Sequence, residues 1–394
     1  MSSEHRLRLG VALEGAGWHP AAWREPTSRP SELFTPEYWV ELVRTAEAGL
    51  LDFVTIEDSL ALQSSAFFEG DSRTDEVRGR LDALLIAARV APLTSHIGLI
   101  PTVTTSYTEP FHVSTGIATL DFTSEGRAGW QAKVSGRVDE ARHFGRRTHP
   151  GGSYDDPKVQ EFVGSLFADA SEAVEAVRRL WDSWEDDAEI RDVVTDRFLD
   201  AAKVHQIDFE GREFSIRGPS ITPRPPQGQP VVAALAHAAL PYRFAAGSAD
   251  LVFVTPLDDR DAARILTEVT ALDRTGEPLQ VFADLVVALD VPGGESGLDR
   301  LARLDSLGRP LVSDTLVFGG STAELADHLE SLAALGYAGA RLRPAVTTDD
   351  LPRIAGDLAP ELRRRGVFHD AYEASTLRGL LGLPERVPNR FATV

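Results

Sequence analysis

The sequence contains no cysteine, only three lysines and no long apolar run. Without cysteine, disulfides, thiolate nucleophiles and cysteine-ligated zinc or iron–sulfur sites are excluded. The apolar stretches fall short of the roughly 20 residues that a membrane-spanning helix needs. The first eight residues also lack the apolar stretch of a signal peptide. We therefore expect a cytoplasmic protein that does not bind membranes.

Positive charge is scarce as well, since 60 Asp and Glu residues face 40 Lys and Arg residues, for a net charge of −20. A nucleic-acid binder normally presents a basic face, so this class of partner is excluded. The excess negative charge is typical of a surface adapted for solubility. The chain of 394 residues, 43% apolar, is long enough to bury a large core.

Short β-rich apolar segments alternate with helical patterns along the whole chain. Eight such segments are predicted as strands, at residues 6–14, 53–57, 97–102, 128–134, 230–236, 249–255, 279–289 and 339–345. Alternating strands and helices predict a parallel sheet with helical crossovers. An open dinucleotide-binding sheet is disfavoured because no GxGxxG follows the first strand. We predict an α/β fold in which residues 1–394 form a single TIM-type (β/α)8 barrel.

Two segments are too long to be ordinary connections between a strand and the next helix. Residues 136–229 follow the fourth strand, and residues 291–314 follow the seventh. Long connections in compact domains usually carry function or are disordered. We therefore predict insertions at these two places, the first of which contains a helix over residues 171–183.

Active sites of TIM barrels lie at the carboxyl ends of the strands. The residues there are polar and aromatic. They include no GxSxG nucleophile turn and no HExxH metal motif. A hydrolytic triad and a catalytic metal are therefore disfavoured, and a rim of this composition suits a flat aromatic ligand.

Several longer motifs occur in one consistent order along the chain. They are HPAAWR from residue 19, TVTTSYTEP from 102, GRAGW from 126, ARHFG from 141, LWDSWEDDA from 180, PQGQP from 226 and TLR from 376. Together they resemble the nitrilotriacetate and dibenzothiophene-sulfone monooxygenase group of the luciferase-like flavin monooxygenases. The resemblance extends from residue 19 to residue 390.

The resemblance implies a flavoprotein oxidoreductase that works as one half of a two-component system. A separate flavin reductase would supply reduced FMN, which reacts with O2 to give a flavin C(4a)-peroxide that oxygenates a small organic substrate. The cofactor carries the chemistry, and the protein positions it and excludes water. The resemblance also implies a homodimer.

Site residues follow from the resemblance position by position. His19 corresponds to the residue that would donate or accept a proton beside the flavin. The other matched positions would contact FMN, and they are Asp58, Thr104, Thr105, Gln131, His149, Tyr154 and His237. Each of them has an ordinary structural alternative, such as helix capping for Asp58.

Three departures from the group's pattern concern the flavin site. Gln131 replaces an asparagine and is followed by Lys133, which adds a charge. Ser153 replaces an arginine near Tyr154. After the fifth strand, a serine- and glycine-containing turn is replaced by a segment containing His237 and Pro241. Such turns present N–H groups to phosphate, and proline removes one of them.

These changes leave three hypotheses open. The first is a reduced-FMN monooxygenase with a rebuilt phosphate site. The second is a non-catalytic paralogue or partner subunit that has lost flavin binding. The third is an oxidoreductase that uses a deazaflavin for hydride transfer.

Overall fold

Eight parallel strands close into a barrel in the computed structural model, which describes residues 6–64 and 70–392. In chain order they are β1 (Arg8–Leu13), β2 (Phe53–Ile56), β3 (Gly98–Thr104), β4 (Gly129–Lys133), β5 (Val231–Ala236), β6 (Leu251–Val254), β7 (Gln280–Leu289) and β8 (Gly339–Pro344). Each strand pairs with the next, and β8 pairs with β1. The predicted closed barrel is therefore confirmed.

The helices pack around this barrel. They are α1 (Pro36–Ala48), α2 (Ala83–Val90), α3 (Pro110–Thr123), α4 (Val138–Phe144), α5 (Pro157–Asp182), α6 (Ala239–Ser248), α7 (Asp259–Thr270), α8 (Gly297–Asp305), α9 (Thr322–Leu335), α10 (Thr347–Arg353), α11 (Ala359–Arg364) and α12 (Leu377–Leu380). In the described parts of the chain, no helix has both the length and the apolar character needed to cross a bilayer.

Side chains alternate between the outside and the inside of the barrel, as the period of a strand requires. On β1, Leu9, Val11 and Leu13 belong to the buried apolar layer shared with the helices. Inside the amino-terminal end, the rings of Phe53, Phe253 and Phe282 pack with centroids 5.6–6.1 Å apart. This apolar plug means that the barrel interior can accommodate polar groups only nearer the carboxyl ends.

The insertion at residues 136–229 contains α4, the 26-residue α5 and two short hairpins. The hairpins pair Glu189–Asp192 with Arg197–Leu199 and Phe209–Glu210 with Ser215–Ile216. The sequence predicts a helix here only from residue 171. The earlier start is explained by Asp156, whose side chain accepts a hydrogen bond from the Lys158 N–H and caps the helix.

The insertion at residues 291–314 contains α8 and lies over one side of the barrel mouth. Its Leu301 and Leu311 pack against Val286 and Ala288, which point inward from the end of β7. An additional strand that the sequence patterns did not predict, Val317–Gly320, then pairs in parallel with the end of β7. The second insertion thus covers the mouth where β7 extends beyond its neighbours.

Candidate active site

A buried ionic network occupies the barrel interior above the phenylalanine plug. The Arg341 guanidinium, fully buried on β8, donates hydrogen bonds to Asp284 on β7 and to Glu57 at the end of β2. It also lies 4.2 Å from the centre of the Phe253 ring. Burial acts to raise the pKa of Asp284, but Arg341 and Arg343 outweigh it and hold that pKa below its usual value.

Gln131, one of the predicted flavin contacts, belongs to this network. Its side-chain oxygen accepts a hydrogen bond from Arg341 at 2.7 Å. Its amide nitrogen donates to Thr102 at 2.7 Å and to Glu57 at 3.1 Å. Gln131 is fully buried, so it supports the floor of the mouth from below.

Arg343 carries the network up to the rim of the barrel. Its guanidinium donates to Asp284 and, at 2.8 Å, to Asp314 in the second insertion. The guanidinium carbon also lies 4.6 Å from the centre of the Trp18 ring. The network therefore links the barrel interior to two of the loops around the mouth.

A cavity of about 220 Å³ opens at the rim beside Arg343, and we call it the rim cavity. It lies at the carboxyl ends of β4, β5 and β6, beneath α5 and α6. Apolar side chains form its walls, namely Phe167, Leu235, Pro241 and Phe244. Its polar lining consists of Lys133, His237, Thr255, Asp314 and Arg343.

Lys133 is the charged residue of the rim cavity that comes from β4. Its Nζ donates to the backbone carbonyl of Asp58 at 2.6 Å. The Lys133 carbonyl in turn accepts hydrogen bonds from the N–H and the hydroxyl of Thr105, the latter at 3.1 Å. Lys133 thus ties together the ends of β2, β3 and β4.

Asp58 and Thr104, two further predicted flavin contacts, lie at the same strand ends. The Asp58 carboxylate accepts hydrogen bonds from the N–H of Ser59 at 2.6 Å and from that of Ala83, at the start of α2, at 2.9 Å. Burial raises the pKa of Asp58, and these N–H groups partly oppose the shift. The Thr104 hydroxyl accepts from the Ser106 N–H at 3.3 Å.

His237 and the start of α6 form the outer edge of the rim cavity. His237 is exposed and follows directly after β5. The N-cap position of α6 is Ala238, whose methyl side chain cannot accept a hydrogen bond from the first N–H groups of the helix. Pro241, three residues on, contributes no N–H group. The remaining N–H groups of the first turn have no side-chain acceptor, so what this end lacks compared with the turn it replaces is a serine hydroxyl and the N–H group of residue 241.

His19 lies on the opposite side of the mouth, beneath the second insertion. It is 1% exposed, and its Nδ1 accepts a hydrogen bond from the Ala21 N–H at 3.0 Å. Its Nε2 lies 3.0 Å from the Asp305 carboxylate. Burial lowers the pKa of His19, although Asp305 opposes the shift. Both ring nitrogens are therefore engaged in joining the loop after β1 to α8.

His149 and Tyr154 lie on the segment between α4 and α5. The His149 Nδ1 accepts from the Gly151 N–H at 3.0 Å, and its ring packs edge-on against Phe162 of α5 with a centroid distance of 5.2 Å. Tyr154 is 46% exposed. Neither residue lines the rim cavity.

The structure thus separates the predicted site residues into three groups. Asp58, Thr104, Thr105 and Gln131 lie around the ends of β2 to β4, and His237 lines the rim cavity together with Lys133. His19 lies beneath α8, and His149 and Tyr154 lie outside the barrel mouth.

The sequence reasoning missed the charged residues of the network, above all Arg341, Arg343 and Asp284. A usable signal was present, because each of these residues interrupts an otherwise apolar strand. A charge in such a position is expensive to bury unless it is paired. The two arginines stand at alternate positions on β8, and the aspartate stands on the neighbouring β7. This pattern predicts that the three side chains lie on the same face of the strands and form ion pairs inside the barrel.

Comparisons with known proteins give a consistent result. A family model described as luciferase-like monooxygenase matches residues 16–292. Nitrilotriacetate monooxygenase component A from Aminobacter aminovorans is 29% identical over 97% of this chain and 98% of its own length. Dibenzothiophene-sulfone monooxygenase from Rhodococcus erythropolis is also 29% identical, over 98% of each chain.

A solved structure also shares the fold. Riboflavin lyase, crystallised with modified FMN and riboflavin, superposes with a TM-score of 0.77 at 24% identity, over 96% of each chain. That likeness shows the fold.

Proposed function

The chain belongs to the luciferase-like monooxygenase family, and from that premise we propose that it oxygenates a small organic substrate with reduced FMN and O2. The family match confirms the resemblance found in the motifs, and the relatives' names support an oxidoreductase enzyme. One relative is named as a component of a larger system. We therefore propose that a separate flavin reductase supplies the reduced FMN.

The observation that carries this proposal is the chemistry of the rim cavity. It lies at the carboxyl ends of the strands, where TIM barrels place their active sites. Phe167 and Phe244 supply apolar walls suited to a flat ring, and Lys133 and Arg343 supply positive charge. The reduced flavin ring and the FMN phosphate are both anionic, so the positive charge of the lining is of the right sign to bind reduced FMN.

The size of the rim cavity limits how much of FMN it would enclose. Its volume of about 220 Å³ is below the roughly 300–1,000 Å³ of pockets that enclose drug-sized ligands. A bound FMN would therefore extend past the rim at His237 and the start of α6. Since Ala238 has no hydroxyl and Pro241 has no N–H group there, we propose that the phosphate end is held weakly.

When bound, reduced FMN would supply the electrons that activate O2. The protein's own contribution is to hold the ring, exclude water and hold a proton nearby. We propose that Phe167 and Phe244 exclude water, and that Asp58, Thr104, Thr105 and Gln131 fix the position of Lys133 and the cavity floor. We also propose that His149 and Tyr154, on the segment before α5, contact FMN.

His19 remains our proposed proton donor or acceptor, and its contacts set a condition on that role. Both ring nitrogens are engaged, so the ring would have to release either Asp305 or the Ala21 N–H before it could exchange a proton with a ligand. Movement of α8 would provide that release.

An anaerobic titration of the purified protein with reduced FMN tests the proposed function. We expect saturable binding, followed on addition of a reductase, NADH and candidate substrates by substrate-dependent O2 consumption. A protein that binds no flavin would instead be the non-catalytic paralogue. Tight binding of a deazaflavin without any O2 dependence would favour the hydride-transfer alternative.

We also propose that the protein is a cytoplasmic homodimer whose 394 residues form one domain. Two exposed apolar side chains support a subunit contact, Leu85 on α2 and Phe122 on the adjoining α3, which are 69% and 44% exposed. Sedimentation of the wild type and of Leu85→Glu would test the dimer. Limited proteolysis that releases a stable fragment would argue against a single domain.

A further inference from the structure

A second cavity lies at the end of the barrel opposite the mouth, and we call it the basal cavity. Its volume is about 430 Å³, within the roughly 300–1,000 Å³ of pockets that enclose small ligands. The first residues of β1 and β7, the residue before β8, the ends of α7 and α9, and residues 382 and 383 form its walls. Because TIM barrels place their active sites at the other end, this cavity is separate from the proposed flavin site.

Arg8 is the cation of the basal cavity that lacks an ion-pair partner. Its Nε donates a hydrogen bond to the Leu380 carbonyl at 3.2 Å. In the described ranges, 6–64 and 70–392, none of the carboxylates forms an ion pair with its guanidinium and no group accepts from its two Nη groups. Arg6, which lines the same cavity, is paired with Glu373 at the surface. The charge of Arg8 is therefore available to a ligand.

The Arg8 guanidinium is held against the turn that follows α12. Gly382 in this turn has a φ of +66°, and a Cβ at this position would collide with Nη2 of Arg8. Gln280, at the start of β7, is bound to the same turn, because its Nε2 donates to the Leu381 carbonyl at 2.7 Å. Two consecutive carbonyl groups thus position the side chains of Arg8 and Gln280 at one wall of the basal cavity.

The other lining residues limit the ligands that would fit. Leu266, Leu279 and Leu383 provide apolar walls. Glu277 adds a carboxylate at the exposed edge of the cavity. The side-chain oxygen of Gln280 is buried and accepts no hydrogen bond from the described residues. A doubly charged phosphate would be repelled by these two negative groups, whereas a single carboxylate matches the one uncompensated cation.

Burial makes an anionic ligand more favourable for Arg8. It lowers the pKa of the guanidinium because the charged form loses solvation, and the charge of Asp52 partly opposes this shift. An arginine nevertheless stays protonated in proteins. A carboxylate in the cavity would interact with it in a poorly solvated place, where electrostatic interactions are strong.

We propose that the basal cavity is a binding site for a small organic monocarboxylate with an apolar chain. The carboxylate accepts two parallel hydrogen bonds from the Arg8 guanidinium, since the two planar groups match in geometry. The apolar chain packs against Leu266, Leu279 and Leu383. The inference does not depend on the proposed function, because the two cavities lie at opposite ends of the barrel.

Isothermal titration calorimetry of the full chain with isovalerate, a branched monocarboxylate, tests this site. Isovaleramide, the uncharged analogue of the same shape, and inorganic phosphate are titrated in parallel. We expect saturable binding of isovalerate, with the amide and phosphate each bound roughly tenfold more weakly or worse. Arg8→Met should weaken isovalerate binding by a similar factor, because it removes the charged hydrogen-bond donors.

The control for Arg8→Met is Arg44→Met. Arg44 also donates from Nε to a backbone carbonyl, that of Leu93, and lies outside the basal cavity. This variant should bind isovalerate like the wild type.

A second pair of variants keeps the inference falsifiable should Arg8→Met fail to fold. Thr270→Trp narrows the basal cavity from the exposed end of α7 and leaves Arg8 in place. Thr267→Trp, one turn earlier on the same helix, is its control, because Thr267 is exposed and does not line the cavity. Thr270→Trp should weaken isovalerate binding, and Thr267→Trp should leave it unchanged.

Four results would overturn the inference. These are no saturable binding of isovalerate by the wild type, equal or tighter binding of the amide or of phosphate, unchanged affinity in folded Arg8→Met or in Thr270→Trp, and equal losses in the two controls. Each of these results would leave the proposed FMN site standing, since that site is tested by FMN itself.

Discussion

Replacing Arg341 with methionine is the sharpest test of the ionic network inside the barrel. Methionine retains much of the side-chain length but removes the guanidinium. Asp284 would keep its hydrogen bonds from Arg343. Glu57, which is 9% exposed, would lose its ion pair with Arg341 and keep hydrogen bonds from the neutral donors Gln131 and Thr55.

The expected loss of stability follows from the fact that Asp284 keeps an arginine partner and Glu57 does not. Breaking a buried ion pair by removing one partner typically costs about 3–5 kcal/mol, because the remaining charge is left uncompensated. We therefore expect Arg341→Met to lower the free energy of unfolding by about 3–5 kcal/mol. The double variant Arg341→Met/Glu57→Gln should recover a substantial part of that loss, since glutamine leaves no charge behind.

Urea denaturation followed by near-UV circular dichroism and tryptophan fluorescence provides the measurement. Arg264→Met serves as the control, because Arg264 pairs with Asp261 and Glu268 on the exposed face of α7. The control should unfold like the wild type. A loss below about 1 kcal/mol for Arg341→Met, or no recovery in the double variant, would show that the network does not hold the interior as argued.

Three further perturbations address the stability and the edge of the site. Burial raises the pKa of Asp52 from 3.8 to about 7, so its contribution to stability is present below pH 4 and is lost as the pH rises through 7. Asp52→Asn should therefore flatten the pH dependence of urea unfolding by about 2 kcal/mol between pH 5 and pH 7, and an unchanged slope would contradict this. Ala238→Ser should cap α6 and stabilise the protein by about 1 kcal/mol, whereas Ala238→Val should not do so in the same urea assay. His19→Ala should cost about 1–3 kcal/mol and accelerate proteolysis within residues 291–314, and equal cleavage rates would refute its role in holding α8.

The barrel could be predicted because each of its strands is indicated by a short stretch of sequence. A strand of four to ten residues between turn residues is visible in a single sequence, and eight of them in alternation with helices leave few topologies. The additional strand Val317–Gly320 escaped because it is short and ends in two glycines. The early start of α5 is marked in the sequence by Asp156 and Pro157, a capping residue followed by proline, which precede the apolar periodicity of the helix.

The network and the second insertion depend on contacts between distant parts of the chain. His19 and its partner Asp305 are 286 residues apart, so no pattern around either of them predicts their contact. Parallel strands are buried on both faces, so the sequence hardly distinguishes inward from outward positions. In the sequence, the interior layer is indicated only by the charged residues that interrupt the apolar strands β7 and β8. Which of these residues pair with each other can be predicted only when the register of the strands is known.

A crystal structure of the protein soaked with reduced FMN under anaerobic conditions tests the central claim most directly. Our account predicts electron density for the flavin ring in the rim cavity, against the Phe167 and Phe244 side chains and beside Lys133 and Arg343. Density for the ring elsewhere, or an unchanged cavity at saturating FMN, would contradict the proposed site.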